Sequence, residues 1–215
     1  MHRLRIKFSR GEEVKFISHL DIMRLWQRAL NRAEIPLAYS EGFNPHPRIS
    51  IAAPLALGVT SEAELMDVIL SRWSSPHSFS STVDQQLPCG ITINQVLNTP
   101  LNMPSLQSQI RYAEYQVGLK TDRKPEDIEE SIVLIMARQG LPWQHHRDHG
   151  PHHYDLRTLI SEIRFIDLSS KYCTIYMKLR CSSSGSGRPE QVTAALGFNN
   201  YPRLIHRTKL ILITS

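Results

Sequence analysis

The order in which hydrophobic periodicities follow one another constrains the fold of this sequence most. Residues 2–8 alternate apolar and basic side chains, which is the pattern of a half-buried strand with a basic outer face. Residues 18–33 carry apolar side chains at helical spacing and stop before Pro36, with Ser18 as the predicted N-cap. The first half then reads β-α-β-β-α-β, with its later segments at residues 49–57, 64–70, 78–86 and 91–97.

The second half of the chain repeats this order after a stretch of linker composition. Its six patterns lie at residues 111–120, 124–138, 159–168, 172–181, 189–196 and 204–213, and residues 140–150 are predicted to form an additional loop or short strand. Two units of this order predict an α+β protein made of tandem ferredoxin-like (β-α-β-β-α-β) units with antiparallel sheets. We assign residues 1–100 to unit 1, residues 101–109 to a linker and residues 110–215 to unit 2.

Composition limits the class of protein and the compartment. Hydrophobic residues make up 41% of 215 residues, which is enough for a packed core. No apolar run approaches the roughly 20 residues that a membrane helix needs, and the N-terminal residues have no signal-peptide pattern. We therefore expect a cytoplasmic protein, and the sequence predicts no cofactor.

The cysteines and one acidic residue are interpreted as structural. Asp155 is predicted to form a salt bridge with Arg157 or Arg188. The thiols are too few and too scattered for a disulfide framework or a zinc site, and they lack the CxxxCxxC spacing of a cluster. They are Cys89, Cys173 and Cys181.

Basic residues are concentrated toward both ends of the chain, and the net charge is +5. This distribution is compatible with nucleic-acid binding, and equally with an ordinary solvated surface. The residues that could form a basic face suited to RNA are Arg3, Arg5 and Lys7 on the first strand, and Arg203, His206, Arg207 and Lys209 near the C-terminus.

The segment of residues 40–48, called here the 40–48 loop, is the first candidate site. Two prolines around His46 exclude a helix and favour a rigid, extended loop. An aromatic ring could stack on a base, and polar groups could contact base edges and phosphate. The alternative is a structural turn whose aromatic ring packs inward. The candidate RNA-binding residues in the loop are Ser40, Phe43, Asn44, His46 and Arg48.

Three arginines on the first predicted helix form a second candidate. Arg24, Arg28 and Arg32 recur every four residues and therefore share one helix face, called here the arginine stripe. A stripe of this kind fits a phosphate backbone. The alternative is a solvated helix face without a ligand.

Histidines supply two weaker candidates. His19 and His46 could act as acid and base in RNA cleavage, although a capping or packing role is the simpler interpretation of each. A second group has the density of a metal site, but its mixed spacing fixes no geometry and is equally typical of a hairpin tip. That group comprises His145, His146, His149, His152 and His153.

Three motifs together resemble the radical-SAM-linked protein family. They are Lys15-Phe16-Ile17-Ser18-His19-Leu20-Asp21, Tyr39-Ser40-Glu41-Gly42-Phe43-Asn44-Pro45-His46-Pro47-Arg48-Ile49-Ser50 and Pro54-Leu55-Ala56-Leu57-Gly58. Weaker agreement continues at Tyr154-Asp155-Leu156-Arg157 and Gly187-Arg188-Pro189-Glu190-Gln191-Val192. In that family the domain occurs alone or fused behind a cobalamin-binding radical-SAM module, and its function is not established. The resemblance implies a partner chemistry, and the missing cluster cysteines place that chemistry on a separate radical-SAM enzyme.

These observations lead to three functional hypotheses. The first is an accessory RNA-binding protein that presents tRNA or rRNA to a separate radical-SAM RNA-modifying enzyme. The second is a metal-independent endoribonuclease or RNA-modifying enzyme of ferredoxin-like fold, by analogy with CRISPR repeat-processing endoribonucleases and some tRNA-modifying enzymes. The third is a protein-interaction module for a radical-SAM enzyme without nucleic acid. No phosphate loop, Rossmann fingerprint or Ser-His-Asp signature occurs, so a self-contained enzyme is the less favoured class.

Overall fold

The structure, a computed structural model, describes residues 1–147, 150–182 and 184–213. The chain divides into two compact units, Met1–Ile110 and the part that begins at Arg111. Both units are mixed α+β, with antiparallel pairs β1–β3, β1–β4 and β2–β3 in the first and β5–β9 and β8–β9 in the second. Among the described residues, no helix has both the length and the apolar character needed to cross a membrane.

Unit 1 is a four-stranded sheet with helices. Strand β1 pairs antiparallel with both β3 and β4, and β2 pairs antiparallel with β3, so the strand order is β2-β3-β1-β4. The elements in chain order are β1 (His2–Arg10), α1 (His19–Arg32), β2 (Ile49–Ile51), β3 (Thr60–Leu70), α2 (Pro76–Asp84), β4 (Ile91–Thr99) and α3 (Leu106–Gln109).

The core of unit 1 lies between the sheet and α1. Ser18 begins the helix as predicted, because its hydroxyl oxygen accepts the backbone N–H of Asp21. The Phe8 and Trp26 rings meet edge to face, with 4.9 Å between their centroids. Burying side chains of this size stabilises the unit by about 1.5–3 kcal/mol each. The other fully buried side chains of this core include Leu4, Ile6, Ile22 and Leu30.

The face of β1 opposite the core carries Arg3 and Arg5, and it is not the exposed basic surface that the sequence predicts. Arg3 is buried, with 6% of its surface exposed, and its guanidinium pairs with the Asp67 carboxylate. Arg5 is partly buried and donates from Nε to the same carboxylate at 2.8 Å. The expectation of a basic RNA-binding face is therefore wrong for these two arginines, because an acidic residue of β3 neutralises them.

The stretch predicted as a linker contributes to this covered face. Arg3 donates to the backbone carbonyl oxygens of Met103 at 2.9 Å and Pro104 at 3.2 Å. Helix α3 follows, and its Leu106 is fully buried. Arg3 therefore binds residues before α3 to the sheet of unit 1.

Unit 2 contains a sheet with helices and a separate two-stranded hairpin. Strand β9 pairs antiparallel with β5 and with β8, β5 neighbours β11, and β6 pairs with β7. The elements are β5 (Ile110–Lys120), α4 (Pro125–Ala137), β6 (Pro142–Arg147), β7 (Gly150–Asp155), β8 (Ile160–Ser169), β9 (Tyr172–Ser182), β10 (Gly185–Ser186), α5 (Pro189–Ala195) and β11 (Leu204–Leu212).

Three charged residues of unit 2 differ from their predicted roles. The Asp155 carboxylate accepts the backbone N–H groups of Leu141 and Arg157, whereas the Arg157 guanidinium donates to the carbonyl oxygens of Met136 and Ile160. The predicted salt bridge between Asp155 and the Arg157 side chain is therefore wrong, because each side chain forms its hydrogen bonds with backbone groups instead. Arg207, predicted at the surface, is 1% exposed.

Candidate nucleic-acid interface

The 40–48 loop is closed at its base by three hydrogen bonds. The Ser40 N–H donates to the His46 carbonyl oxygen at 2.8 Å, and the Arg48 N–H donates to that of Ala38 at 2.8 Å. The His46 N–H donates to the Ser40 hydroxyl oxygen at 3.0 Å. Ser40 therefore acts as a brace for the loop as well as a surface hydroxyl.

The base of the loop is bound to strand β3 of unit 1. The Ala38 N–H donates to the Ile69 carbonyl oxygen at 2.8 Å, and the Ile69 N–H donates to the Arg48 carbonyl oxygen at 3.0 Å. Both sides of the loop thus contact one residue of the sheet. The tip bends at Gly42, whose φ of +125° lies in the region that favours glycine. The loop is consequently fixed at its base and projects its tip away from the core.

The side chains at the tip point into solvent. Phe43 is fully exposed, at 106% of its reference surface, and Asn44 and His46 are exposed as well. The alternative in which Phe43 packs inward is not what the structure shows. An uncovered ring gains no burial energy from the fold, so packing within the chain does not explain its presence.

Two further aromatic residues lie at the same end of the sheet, and the sequence reasoning did not select them. Trp73, just after β3, is 70% exposed and stacks on His2 with 6.3 Å between ring centroids, and Tyr39 is 47% exposed. His2 pairs with Leu70, and Leu37 bridges the same residue, which brings these segments together. The sequence feature that could have indicated an exposed Trp73 is its position among serines directly after a predicted strand.

The basic groups around the loop are also exposed. Arg48 is exposed, and its Nη1 lies 3.5 Å from the Met1 sulfur. Arg72, between β3 and Trp73, is exposed. Glu41 is the acidic residue within the loop itself and is exposed too. The end of the sheet therefore combines three uncovered rings with two guanidinium groups.

The arginine stripe lies on the exposed face of α1, as the spacing predicts, but its members differ in their partners. Arg24 pairs with Asp21 at 3.0 Å, and Arg32 donates to the backbone carbonyl oxygen of Gln86 at 2.6 Å. The Ser18 hydroxyl and the Arg24 guanidinium hold the pKa of Asp21 below its usual value. Arg28 makes no hydrogen bond or ion pair within the described part of the chain, so its guanidinium is the most available of the three.

A shallow groove of about 370 Å³ runs beside two members of the stripe. Arg28 and Arg32 line it from α1, together with Leu25. The opposite wall is formed by the residues that follow α2, namely Gln85, Gln86, Leu87 and Pro88. Within the described residues, no hydrogen bond links this groove to the 40–48 loop, so the two candidates remain separate surfaces of unit 1.

The two histidines proposed as an acid–base pair are not brought together. His19 opens α1, close to the C-terminal end of β1, because Arg10 donates to the Ile17 carbonyl oxygen at 3.0 Å. His46 lies in the loop bound to Ile69, which pairs with Arg3 at the opposite end of β1. A strand of this length spans about 20 Å or more, so the two imidazoles cannot share one substrate atom.

The histidine-rich hairpin yields no metal site within the described residues. No group of three or more potential ligands from His, Cys, Asp and Glu occurs in residues 1–147, 150–182 and 184–213. His153 is exposed on β7. The proposed ligand His149, and the side chains of His145, His146 and His152, lie outside what the structure describes.

A protein-family model matches residues 3–189, and its description is "Uncharacterized protein conserved in bacteria (DUF2344)". The match covers most of the chain. The chain belongs to the DUF2344 family. The family description states no activity, ligand or partner. No curated protein sequence matches this member of the family.

Among solved structures, the family member is similar in fold to chains of two complexes. One is in a crystal structure of a Cbf5-Nop10-Gar1 complex, with a TM-score of 0.52, 10% identity and coverage of 96% of this chain and 48% of that chain. Another is in an H/ACA RNP bound to a substrate RNA containing 2'-deoxyuridine, with a TM-score of 0.51, 10% identity and coverage of 96% and 47%. The chain thus spans about half the length of the solved chains that it matches.

Proposed function

We propose that this protein is an accessory RNA-binding protein that presents RNA to a separate radical-SAM RNA-modifying enzyme. The 40–48 loop is its principal contact with RNA, and the observation that carries the proposal is the full exposure of Phe43 on a rigidly anchored loop. The cytoplasm is the compartment that this role requires. The radical-SAM partner comes from the family resemblance of the loop motif, and the shared fold with a chain of an RNA-bound H/ACA RNP agrees with an RNA ligand.

The proposal includes a finer description of the fold. Each unit is a ferredoxin-like unit whose strands lie in the spatial order second, third, first, fourth. Support comes from the order β2-β3-β1-β4 in unit 1 and the order β8-β9-β5-β11 in unit 2, where the β6–β7 hairpin is an insertion. In unit 1 this order places the 40–48 loop just before the edge strand β2.

Exposed rings on a fixed loop favour single-stranded over double-stranded RNA. Phe43 can stack on an unpaired base, and Tyr39 and Trp73 offer further rings at the same end of the sheet. Asn44 and His46 can contact base edges, while Arg48 and Arg28 can contact phosphates. Because hydrogen bonds already fix the loop, little conformational entropy is lost on binding.

The test is fluorescence anisotropy with a labelled single-stranded RNA and the Phe43→Ala variant. Loss of one stacked base weakens binding by about 1–3 kcal/mol. The matched control is Phe16→Ala, because Phe16 is also exposed, at 73%, but lies before α1. Equal affinity of the wild type and Phe43→Ala, or equal losses in both variants, contradicts the proposed contact.

The same pair of variants separates binding from folding. Neither ring is buried, so the free energy of unfolding of both variants should lie within about 0.5 kcal/mol of the wild-type value.

The proposed partner is tested separately, by co-purification with a radical-SAM enzyme after nuclease treatment. Retention of that enzyme without any RNA binding would favour the interaction-module hypothesis over RNA presentation.

A further inference from the structure

A pocket in unit 2 lies where three neighbouring strands meet. Its volume is about 380 Å³, which falls in the range of small-molecule sites. The register sets Tyr112 of β5 opposite Arg180 of β9, and Ile160 of β8 opposite the adjacent Leu179. The lining residues are Arg111, Tyr112, Thr158, Ile160, Ser161 and Arg180. We propose that this site, the Arg111/Arg180 pocket, binds the phosphoryl group of a nucleotide.

The two arginines of the pocket differ from the structural arginines of the same unit. The Arg123 guanidinium donates hydrogen bonds to the backbone carbonyl oxygens of Leu196 and Asp127. The Arg157 guanidinium likewise donates to two backbone carbonyl oxygens, those of Met136 and Ile160. Arg180 donates from Nη2 to the Ser184 hydroxyl at 3.1 Å, and Arg111 is exposed. Within the described residues, neither pocket arginine has a carboxylate partner.

The charges around the pocket leave its lining positive. The pocket residues include two arginines and no acid. The Lys178 ammonium lies 5.1 Å from the Tyr112 ring centroid, beside the pocket rather than in its lining. Glu114 and Glu162 are the neighbouring acids, and the strand register sets both opposite Lys178. Glu162 also pairs with Arg164 at 2.7 Å. The acids therefore offset Lys178 and Arg164 rather than the pocket arginines.

A phosphoryl group fits these donors better than other small anions. Guanidinium forks bind phosphate oxygens in pairs, and a phosphate presents enough acceptors for two forks and a hydroxyl. Ser161 supplies that hydroxyl, since the Thr158 hydroxyl already donates to the Asp155 carbonyl oxygen at 2.8 Å. The pocket volume exceeds what a phosphate fills, and the Tyr112 ring beside it suits the remainder of a nucleotide.

This inference goes beyond the proposed role of the 40–48 loop and does not rest on it. Every lining residue belongs to unit 2, whereas the loop belongs to unit 1. Phe43→Ala is therefore expected to leave the pocket unaffected, and changes in the pocket are expected to leave base stacking on the loop unaffected. Failure of one proposal can thus be distinguished from failure of the other.

The test is a titration of the full chain with adenosine 5′-monophosphate, in which binding is monitored by the amide chemical shifts in nuclear magnetic resonance spectra. We expect saturable shifts at Tyr112 and Ser161 that adenosine, which lacks the phosphate, does not cause. Arg180→Ala should weaken binding by about tenfold, because it removes a charge-assisted hydrogen bond. The charge-matched control is Lys124→Ala, since Lys124 is exposed at the start of α4, beyond the opposite end of β5.

Two further experiments are needed. The first identifies whether the bound phosphate is terminal or part of an RNA chain, and the second shows that weaker binding does not result from misfolding. A uridine hexanucleotide without terminal phosphates should displace the monophosphate if the pocket takes a chain phosphodiester, and should not if it takes a terminal phosphate. Arg180→Lys and Ser161→Ala are conservative variants, and each should bind more weakly while keeping the spectrum of the folded chain. Absence of binding by both nucleotides, or equal weakening in Lys124→Ala, overturns the proposal.

Discussion

At the level of single residues, the aromatic side chains of unit 1 fall into two groups with different physical roles. Phe8 and Trp26 are fully buried and contact each other in the core. Phe43 and Trp73 are exposed at one end of the sheet. Replacing a buried ring by alanine costs about 3–5 kcal/mol, whereas an exposed ring contributes little to stability. The exposed group is therefore available for a ligand.

The cysteines permit a prediction from burial and pKa. Burial, with Asp167 nearby, raises the pKa of the Cys173 thiol to about 11, whereas Cys89 is exposed. Only the thiolate reacts rapidly with alkylating reagents. At pH 8 we expect iodoacetamide to modify Cys89 well before Cys173 in the folded chain, as measured by peptide mass spectrometry. Equal rates at both sites would contradict the buried position.

The raised pKa of Cys173 also fixes the sign of a pH effect on stability. The unfolded thiol ionises near its ordinary value of 9.0, before the folded thiol at about 11. Between these values the folded state binds more protons, so this residue makes the free energy of unfolding fall as pH rises. Cys173→Ser should remove this contribution to the pH dependence. Urea denaturation at several pH values measures it.

At the level of elements, much of the secondary structure follows from the sequence, and the reason is local. Helix α1, predicted at residues 18–33, spans His19–Arg32 and begins at the predicted cap. Strand β9, predicted at residues 172–181, spans Tyr172–Ser182. Periodicity and capping residues act within a few positions, so one sequence contains the necessary signal.

What covers each element could not be predicted, because the covering groups come from distant parts of the chain. The alternation in β1 predicted a basic outer face, but Asp67 lies 64 residues after Arg3 and neutralises it. The exposure of Phe43 was likewise one of two open alternatives. Trp73 was missed because nothing near it in sequence shows that its ring reaches the same end of the sheet as residues 40–48.

The ion cluster between β1 and β3 permits a prediction at this level. Asp67 is 4% exposed and neutralises both Arg3 and Arg5. Asp67→Asn should destabilise the chain by about 3–5 kcal/mol, because it leaves buried guanidinium charge without a counterion. Urea denaturation measures the change, and the matched control is Asp84→Asn at the exposed end of α2. A loss below about 1 kcal/mol for Asp67→Asn would argue against a buried ion cluster.

At the level of the whole molecule, the net charge of +5 is distributed unevenly between structural and available groups. Arg3, Arg5 and Arg207 are buried or ion-paired, so they contribute little to a surface for RNA. The available cations proposed to contact RNA in unit 1 are Arg28 and Arg48. The electrostatic part of RNA binding should therefore involve few phosphates, with base stacking supplying the rest.

This distribution predicts a shallow salt dependence of RNA affinity. For single-stranded RNA, each phosphate contact contributes about 0.7 to the slope of log affinity against log salt concentration. Arg28→Gln should reduce the slope by about that amount if Arg28 contacts phosphate, while Arg24→Gln should change it less because Asp21 already pairs with Arg24. Binding measured across a salt series decides between these outcomes. Equal slopes for the wild type and Arg28→Gln would show that Arg28 does not contact an RNA phosphate.

The most direct test of the central claim is photocrosslinking of the wild-type chain to single-stranded RNA that contains 4-thiouridine. Trypsin cleavage after Arg32 and Arg48 releases residues 33–48 as one peptide, which contains Tyr39 and Phe43. The proposed contact predicts that mass spectrometry finds RNA attached to this peptide, and that Phe43→Ala reduces the yield. Crosslinks confined to other peptides, or none at saturating RNA, would contradict it.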